Sequence, residues 1–294
     1  NAMPGYFATA DFNEDGHRDI IASESGASSA EMYLYLGTGD GYFEEAVEME
    51  TPFDGASFVS AGDLNGDDHQ DIAIANGDSV VVYLGVGDGS FGVPLVTGLN
   101  GGTGPTSVRI ANLDDDSEPD LVTSNHTSNS VSVLLGRGDG TFETADNYGT
   151  GIEPTDVLPV DVDGDGDLDL VVGALSGAPW VLRNNADGTW RPEQPFPAIE
   201  GLRGFAWGDL DRDGDPDAVL LDVVGVVHAV ENLQSGVFDP WPAPGLPTGV
   251  VGLTLADIDA DGWLDLVSLN AAGALQRTGW DDDGWTTELV AEDA

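Results

Sequence analysis

The sequence predicts an all-β chain of six stacked repeats, a solenoid or a propeller, each repeat a four-stranded antiparallel meander. Two markers predict it. A nine-residue acidic loop returns at nearly constant spacing, and a turn rich in Asp and Gly, closed by an aromatic residue, follows most copies of it. Self-similarity of this period belongs to architectures whose units are too small to bury a core alone and therefore stack.

The loop is fullest at Asp161-Val162-Asp163-Gly164-Asp165-Gly166-Asp167-Leu168-Asp169, ahead of Leu170-Val171-Val172. Carboxylates at its positions 1, 3, 5 and 9 converge if the chain turns sharply, and the position-7 carbonyl adds another oxygen. Calcium takes roughly six to eight such oxygens. Gly166, at position 6, permits the left-handed turn that returns Asp169 to the others. An EF-hand opens in the same way but closes with Glu at position 12, between helices. Here Asp closes at position 9 and an apolar β-prone run follows, so the loop reads as a strand-loop-strand calcium site. Its copies begin at Asp11, Asp63, Asn112, Asp161, Asp209 and Asp257, at intervals of 48 to 52 residues.

Six such units fill the 294 residues, and 40% hydrophobic content with seven Trp, ten Phe and six Tyr suffices for a shared core. No apolar run is long enough to span a membrane as a helix. Eight Arg, no Lys and 54 acidic residues give a formal net charge of −46. Calcium in every loop would offset only part of that, and the rest reads as a solvated acidic surface, as suits a saline habitat. Phosphate binding needs a basic face, so nucleic acid is excluded as a partner. The absence of Cys removes disulfide and thiol chemistry and leaves the redox compartment unread. Calcium loops fill best outside the cell, where the ion is abundant, which points to a secreted or cell-surface protein. Asn1-Ala2-Met3 reads as an expression remnant, with no signal peptide visible behind it.

Within a unit the elements follow one order. A short, mostly apolar strand precedes the loop, as at Tyr6 to Ala10 or Ser57 to Ala61. A β-prone strand follows it, as at Asp71 to Ala75 or Asp120 to Thr123. A polar turn leads to a third strand such as Val80 to Leu84 or Val131 to Leu135. Then Leu36-Gly37-Thr38-Gly39-Asp40-Gly41-Tyr42-Phe43, repeated as Leu84 to Phe91 and Leu135 to Phe142, turns the chain into the fourth. Looser versions end on Trp190, Phe238 and Trp285. Asp-Gly tolerates the positive φ of tight turns, and the aromatic is expected to pack between neighbouring units. Near-continuous apolar strands imply burial on both faces.

The two markers together resemble the FG-GAP/VCBS repeat family, the repeats of integrin α-chain propellers and of many bacterial surface proteins. The resemblance covers residues 5 to 290 and implies a six-bladed β-propeller, four antiparallel strands per blade, with up to six structural calcium ions between first and second strands. Integrin propellers have seven blades. The blades would span about 4–55, 56–104, 105–153, 154–201, 202–249 and 250–294, in a single domain, closed by packing blade one on blade six, the alternative being a further blade outside this sequence. The implied ligands are Asp11, Asn13, Asp15 and Asp19; Asp63, Asn65, Asp67 and Asp71; Asn112, Asp114, Asp116 and Asp120. In the second half they are Asp161, Asp163, Asp165 and Asp169; Asp209, Asp211, Asp213 and Asp217; Asp257, Asp259, Asp261 and Asp265. Asp68 and Ser117 replace the turn glycine in loops two and three, and Asn112 opens the third. Those two loops are expected to be the weakest, and the last three, richest in Asp, the tightest.

Other features read more simply. Arg137-Gly138-Asp139 falls on the turn marker and is read as a turn rather than a recognition tripeptide. His17 and His69 sit at loop position 7, side chains toward water; His126 and His228 lack a nucleophile or base partner in sequence. Trp190 and Trp285 occupy the packing position. Trp180, Trp207, Trp241 and Trp263 match no aromatic in most other units and are read as filling gaps between blades four to six, the alternative being a surface on which a sugar ring stacks; Trp263 is expected to be the most exposed. Asn125-His126-Thr127 fits a glycosylation sequon.

The function expected is a monomeric, calcium-stabilised binding or adhesion module for a glycan or protein, not an enzyme. A carbohydrate-active enzyme or its binding domain is the alternative, and a structural segment of a longer surface protein a third reading. Binding calls for an aromatic-lined pocket; catalysis calls for two carboxylates outside the metal loops facing a cleft.

Overall fold

In a computed structural model the described residues are 3–25, 30–49, 58–114, 116–186, 189–196, 199, 201–233, 236–241, 247–281 and 284–291. Asn1 and Ala2, Ser57, and parts of the last three turn markers (187–188, 234–235 and 282–283) lie outside them, as do the side chains of Trp280 and Trp285.

Six four-stranded antiparallel meanders make a six-bladed β-propeller. The first contains β1 (Met3–Ala10), β2 (Asp19–Ser25), β3 (Ala30–Tyr35) and β4 (Val47–Met49). The second contains β5 (Phe58–Gly62), β6 (Asp71–Asn76), β7 (Ser79–Tyr83) and β8 (Leu95–Gly98). The third runs through β9 (Pro105–Ala111), β10 (Asp120–Asn125), β11 (Ser130–Leu134) and β12 (Asp146–Gly149). The fourth has β13 (Ile152–Val160), β14 (Asp169–Ser176), β15 (Trp180–Asn184) and β16 (Trp190–Glu193). The fifth is β17 (Leu202–Gly208), β18 (Asp217–Asp222), β19 (Val227–Asn232) and β20 (Phe238–Pro240). The sixth is β21 (Val250–Ala256), β22 (Asp265–Asn270), β23 (Leu275–Asp281) and β24 (Gly284–Ala291). In every sheet the acidic loop joins the first strand to the second, and the second strand begins on the loop's ninth residue.

The chain divides into two compact units, residues 1–159 with 185–190, and residues 160–184 with 191–294. In the first unit, Ile21, Met32 and Leu34 pack against Val59, Ile72 and Val81, joining sheets one and two. Ala73, Val80 and Val82 pack against Val108, Leu121 and Leu134, joining sheets two and three. In the second unit, Val171 and Val181 meet Leu220 and Val230, and Val219 and Leu221 meet Leu266. The second strands form the middle of each stack, which is why β6, β10 and β18 are buried at every residue. A side chain points to each face in alternation, so a strand covered on both faces carries apolar residues without alternation.

In sheets two, three and five the aromatic after the turn packs on the apolar residue at loop position 2 of the preceding sheet. Phe91 meets Phe12 edge-on at 5.7 Å, Phe142 joins the cluster of Leu64, and Phe238 that of Val162. Tyr42 and Phe43 depart from the expectation, since both stay exposed. Trp207 and Phe196 enlarge the aromatic group around Phe238. Trp263 also departs, being half-buried, because the Arg212 guanidinium stacks 3.9 Å from its ring centroid. Truncating an aromatic knob leaves a cavity. Phe142→Ala is therefore expected to cost about 3–5 kcal/mol, measured as a shift in denaturant midpoint at unchanged m-value.

Candidate metal loops

The ninth loop residue is the most constrained. Asp19, Asp71, Asp120, Asp169, Asp217 and Asp265 are at most 1% exposed. One oxygen of each accepts the backbone N–H of loop position 2: Phe12 at 2.7 Å, Leu64 at 2.7 Å, Leu113 at 2.7 Å, Val162 at 3.4 Å, Leu210 at 2.8 Å and Ile258 at 3.0 Å. In the first five loops the other oxygen accepts an N–H from just past or at the end of the third strand: Gly37, Gly85, Gly136, Asn184 and Asn232, at 2.7 to 2.9 Å. Gly37, Gly85 and Gly136 leave no room for a Cβ, which would stand 2.2 to 2.3 Å from the carbonyl oxygens of Arg18, Gln70 and Pro119. This explains the Leu-Gly of the first three turn markers.

The first loop residue gathers the turn. Its carboxylate accepts the N–H of position 6 from Gly16 (2.9 Å), Asp68 (2.8 Å), Gly166 (3.0 Å), Gly214 (3.2 Å) and Gly262 (3.0 Å). Position 6 is left-handed in these five, and Asp68 adopts it at φ 68° despite its side chain. Loop three is built differently. Ser117 stays out of the left-handed region, and the Asn112 amide donates to the Asp116 carbonyl. Sequence reading missed a second left-handed position: Gly66 and Gly164 take it at loop position 4, but so do Glu14, Arg212 and Ala260.

In loops four, five and six the structure brings three carboxylates within 4.8 Å of one another: Asp161, Asp163 and Asp165; Asp209, Asp211 and Asp217; Asp257, Asp259 and Asp265. Asp213 and Asp261 instead cap the N–H of Asp215 and Trp263. In loops one and two, Asn13 and Asn65 donate to Asp15 and Asp67 at 3.0 and 2.9 Å, while Asp11 and Asp63 receive the turn's N–H groups. In loop three, Asp114 and Asp116 cap backbone N–H groups ahead of Asp120.

The donor set, carboxylate and amide oxygens throughout, suits a hard cation. Among the described residues, Asp163 Oδ1 and Asp209 Oδ1 are buried with no hydrogen-bond partner, a vacancy in bonding that a cation satisfies. Loop five fits calcium on both counts. Loops four and six carry a complication: Arg183 Nη1 lies 3.2 Å from Asp163 and 3.1 Å from Asp169, and Arg277 Nη2 bonds Asp259 and Asp265.

Burial pushes Asp120, Asp169 and Asp217 up to about 6 and moves Asp71 in the same direction. The unfolded value is about 3.9, so the folded chain holds these protons more tightly. Their stabilising contribution is present below about pH 4 and is lost as pH rises through about 6. Melting temperature in chelator is expected to fall across that window, and calcium affinity to rise, since the metal needs ionised ligands.

The remaining candidates resolve plainly. Arg137-Gly138-Asp139 is a turn in which Asp139 accepts the Thr141 N–H at 2.9 Å. Asn125 of the sequon is fully buried and bonds Ser130, Ser132 and Thr123, so it is closed to glycosylation. His17 is exposed, as expected. His69 departs from that reading: it is half-buried and paired with Glu14 of loop one, whose carboxylate raises its pKa. His228 meets Asp222 at 3.1 Å. Because both oxygens of a ninth residue are used, Asp217→Asn sets an amide N–H₂ against a backbone N–H. It is expected to cost about 1–3 kcal/mol in chelator as well as in calcium, read by denaturant titration.

A model of the FG-GAP-like repeat matches residues 11–74, 63–123, 112–172 and 161–220. No curated protein matches the chain. Among solved structures, an Agrocybe aegerita lectin, described in its specific recognition of non-reducing terminal N-acetylglucosamine, is 17% identical with a TM-score of 0.70, over 98% of this chain and 80% of the lectin. BBS1N in complex with ARL6DN is 14% identical with a TM-score of 0.64, over 96% and 79%. A Bacteroides fragilis protein provisionally identified as a 6-phosphogluconolactonase is 16% identical with a TM-score of 0.59, over 92% and 79%. At these identities the likeness is one of fold.

Proposed function

The chain belongs to the FG-GAP-like repeat family, and we propose that it is a calcium-stabilised, secreted or cell-surface binding module that recognises a glycan or a protein without transforming it. One observation carries the reading. A groove of about 320 Å³ between sheets one and two is walled by Leu34, Val47, Met49, Tyr83, Phe91 and Pro94, with Gly89, Ser90 and Gly92 completing it. It is aromatic-lined, and among the described residues no carboxylate borders it. Its size falls in the range of small-ligand sites, about 300–1,000 Å³. Tyr83 is only 4% exposed, so the ring a ligand would meet is the half-buried Phe91, beside the exposed Val47 and the turn at Gly89 and Ser90. The fold shared with a lectin supports a sugar as the first ligand class to test, and the fold shared with BBS1N a protein as the second.

The catalytic alternative has a candidate cleft among the described residues. Glu143 and Asp146, outside the metal loops, border a cleft with Tyr148 and Trp190, but its volume is about 40 Å³. That holds water and not a sugar ring. Calcium, in this reading, neutralises clustered Asp and ties the first two strands of a blade; when bound it supplies charge and coordination, not chemistry.

The test is a glycan array probed in calcium and again in chelator, with melting temperature followed in both. Calcium-dependent hits are expected, together with a lower melting temperature in chelator by linkage. Val47 is 53% exposed, so Val47→Glu should abolish the hits while leaving the melt unchanged. Undiminished binding by that variant would move the ligand off this groove. A blank array in both conditions would favour a protein partner.

A further inference from the structure

Two of the three carboxylate clusters already contain a cation. On β15, Arg183 has a side chain only 5% exposed, and its Nη1 lies 3.2 Å from Asp163 Oδ2 and 3.1 Å from Asp169 Oδ2, positions 3 and 9 of loop four. Its Nε faces Glu193 at 3.5 Å and its Nη2 donates to the Gly236 carbonyl at 3.0 Å. On β23, Arg277 repeats the arrangement from a different residue of the strand. Its Nη2 bonds Asp259 and Asp265, again positions 3 and 9, and its Nη1 meets Glu288 at 3.0 Å. Three different carboxylates hold each guanidinium, so neither is a chance surface pair.

Loop five is the contrast. The residue just before the one whose N–H reaches the ninth Asp is Leu36, Leu84 and Leu135 in sheets one to three, and Arg183 in sheet four. In sheet five it is Glu231. The basic residue within loop five, Arg212, turns away to stack on Trp263. Loop five thus adds an acid where loop four adds a base.

We propose that Arg183 and Arg277 take the place of calcium in loops four and six, so that a guanidinium locks these two while loop five depends on the metal. A guanidinium brings one positive charge and fixed N–H donors that match two carboxylates. A calcium ion bound to the same oxygens would lie about 2.4 Å from them and face the guanidinium directly, cation against cation. The sequence-based ranking by Asp count, which sets all three loops level, omits this charge because both arginines lie outside the loops. The proposal rests on the family reading of the loops as calcium sites, and its test separates the two.

The experiment counts calcium bound per full-length chain by equilibrium dialysis and metal analysis, with melting temperature recorded alongside. Asp163→Asn and Asp259→Asn are expected to lose no ion, and Asp211→Asn, in loop five, to lose one. Arg183→Leu, which installs the residue of sheets one to three, is expected to gain one ion and a larger fall in melting temperature on chelation. Loss of an ion in Asp163→Asn or Asp259→Asn overturns the proposal, as does a folded Arg183→Leu chain that gains none. Should Arg183→Leu fail to fold, the two Asp substitutions decide alone. Absence of calcium from loop five would sink the family reading of that loop. The gain or its absence in Arg183→Leu would still decide this one.

Discussion

The structure depends on a carboxylate buried at the start of each second strand. An ionised group out of water is costly unless its oxygens are used. In the first five blades both oxygens take backbone N–H groups, one from the loop and one from the end of the third strand. That single side chain therefore fixes the loop, the first hairpin and the third strand against one another. In sheet six Asp265 accepts the Ile258 N–H and meets Arg277 at 2.8 Å, so charge helps to satisfy the same carboxylate.

The loop's other acids serve the turn before they serve a metal. Positions 1, 3 and 5 cap N–H groups of the loop itself. A loop of this kind is preformed, with oxygens already aimed inward. Preformation lowers the ordering cost that metal binding would otherwise carry. It also explains why loops one and two keep the turn although Asn replaces Asp at position 3, where the Asn13 and Asn65 side-chain oxygens accept the N–H of Asp15 and Asp67.

Between sheets the work passes to apolar packing. Second strands covered on both faces and aromatic knobs set on loop position 2 hold neighbouring sheets face to face. Polar ties are few but buried, such as Asn232 reaching the Val162 carbonyl at 2.9 Å. Arg109 binds Asp156 at 2.8 Å and lies over Phe58 at 4.5 Å. Arginine is scarce here, and Arg109, Arg183, Arg212 and Arg277 each meet a carboxylate or an aromatic face.

The repeat period, the ninth-position Asp, the strand order and the apolar second strands were all legible in sequence, because each is set by residues near one another in the chain. A loop of Asp at alternate positions can turn in few ways, and a turn glycine marks where. Three things were not legible. Tyr42 and Phe43 carry the same marker as Phe91 and Phe142, yet they stay exposed where those two are packed. Trp263 lost its expected exposure to Arg212, whose side chain crosses from another blade. Arg183 and Arg277 lie outside every loop motif, and only strand pairing brings them onto the acids of loops four and six. Local sequence determined what each repeat is. Tertiary structure decided which repeats differ, because a charge or a ring acts on whatever the fold sets beside it.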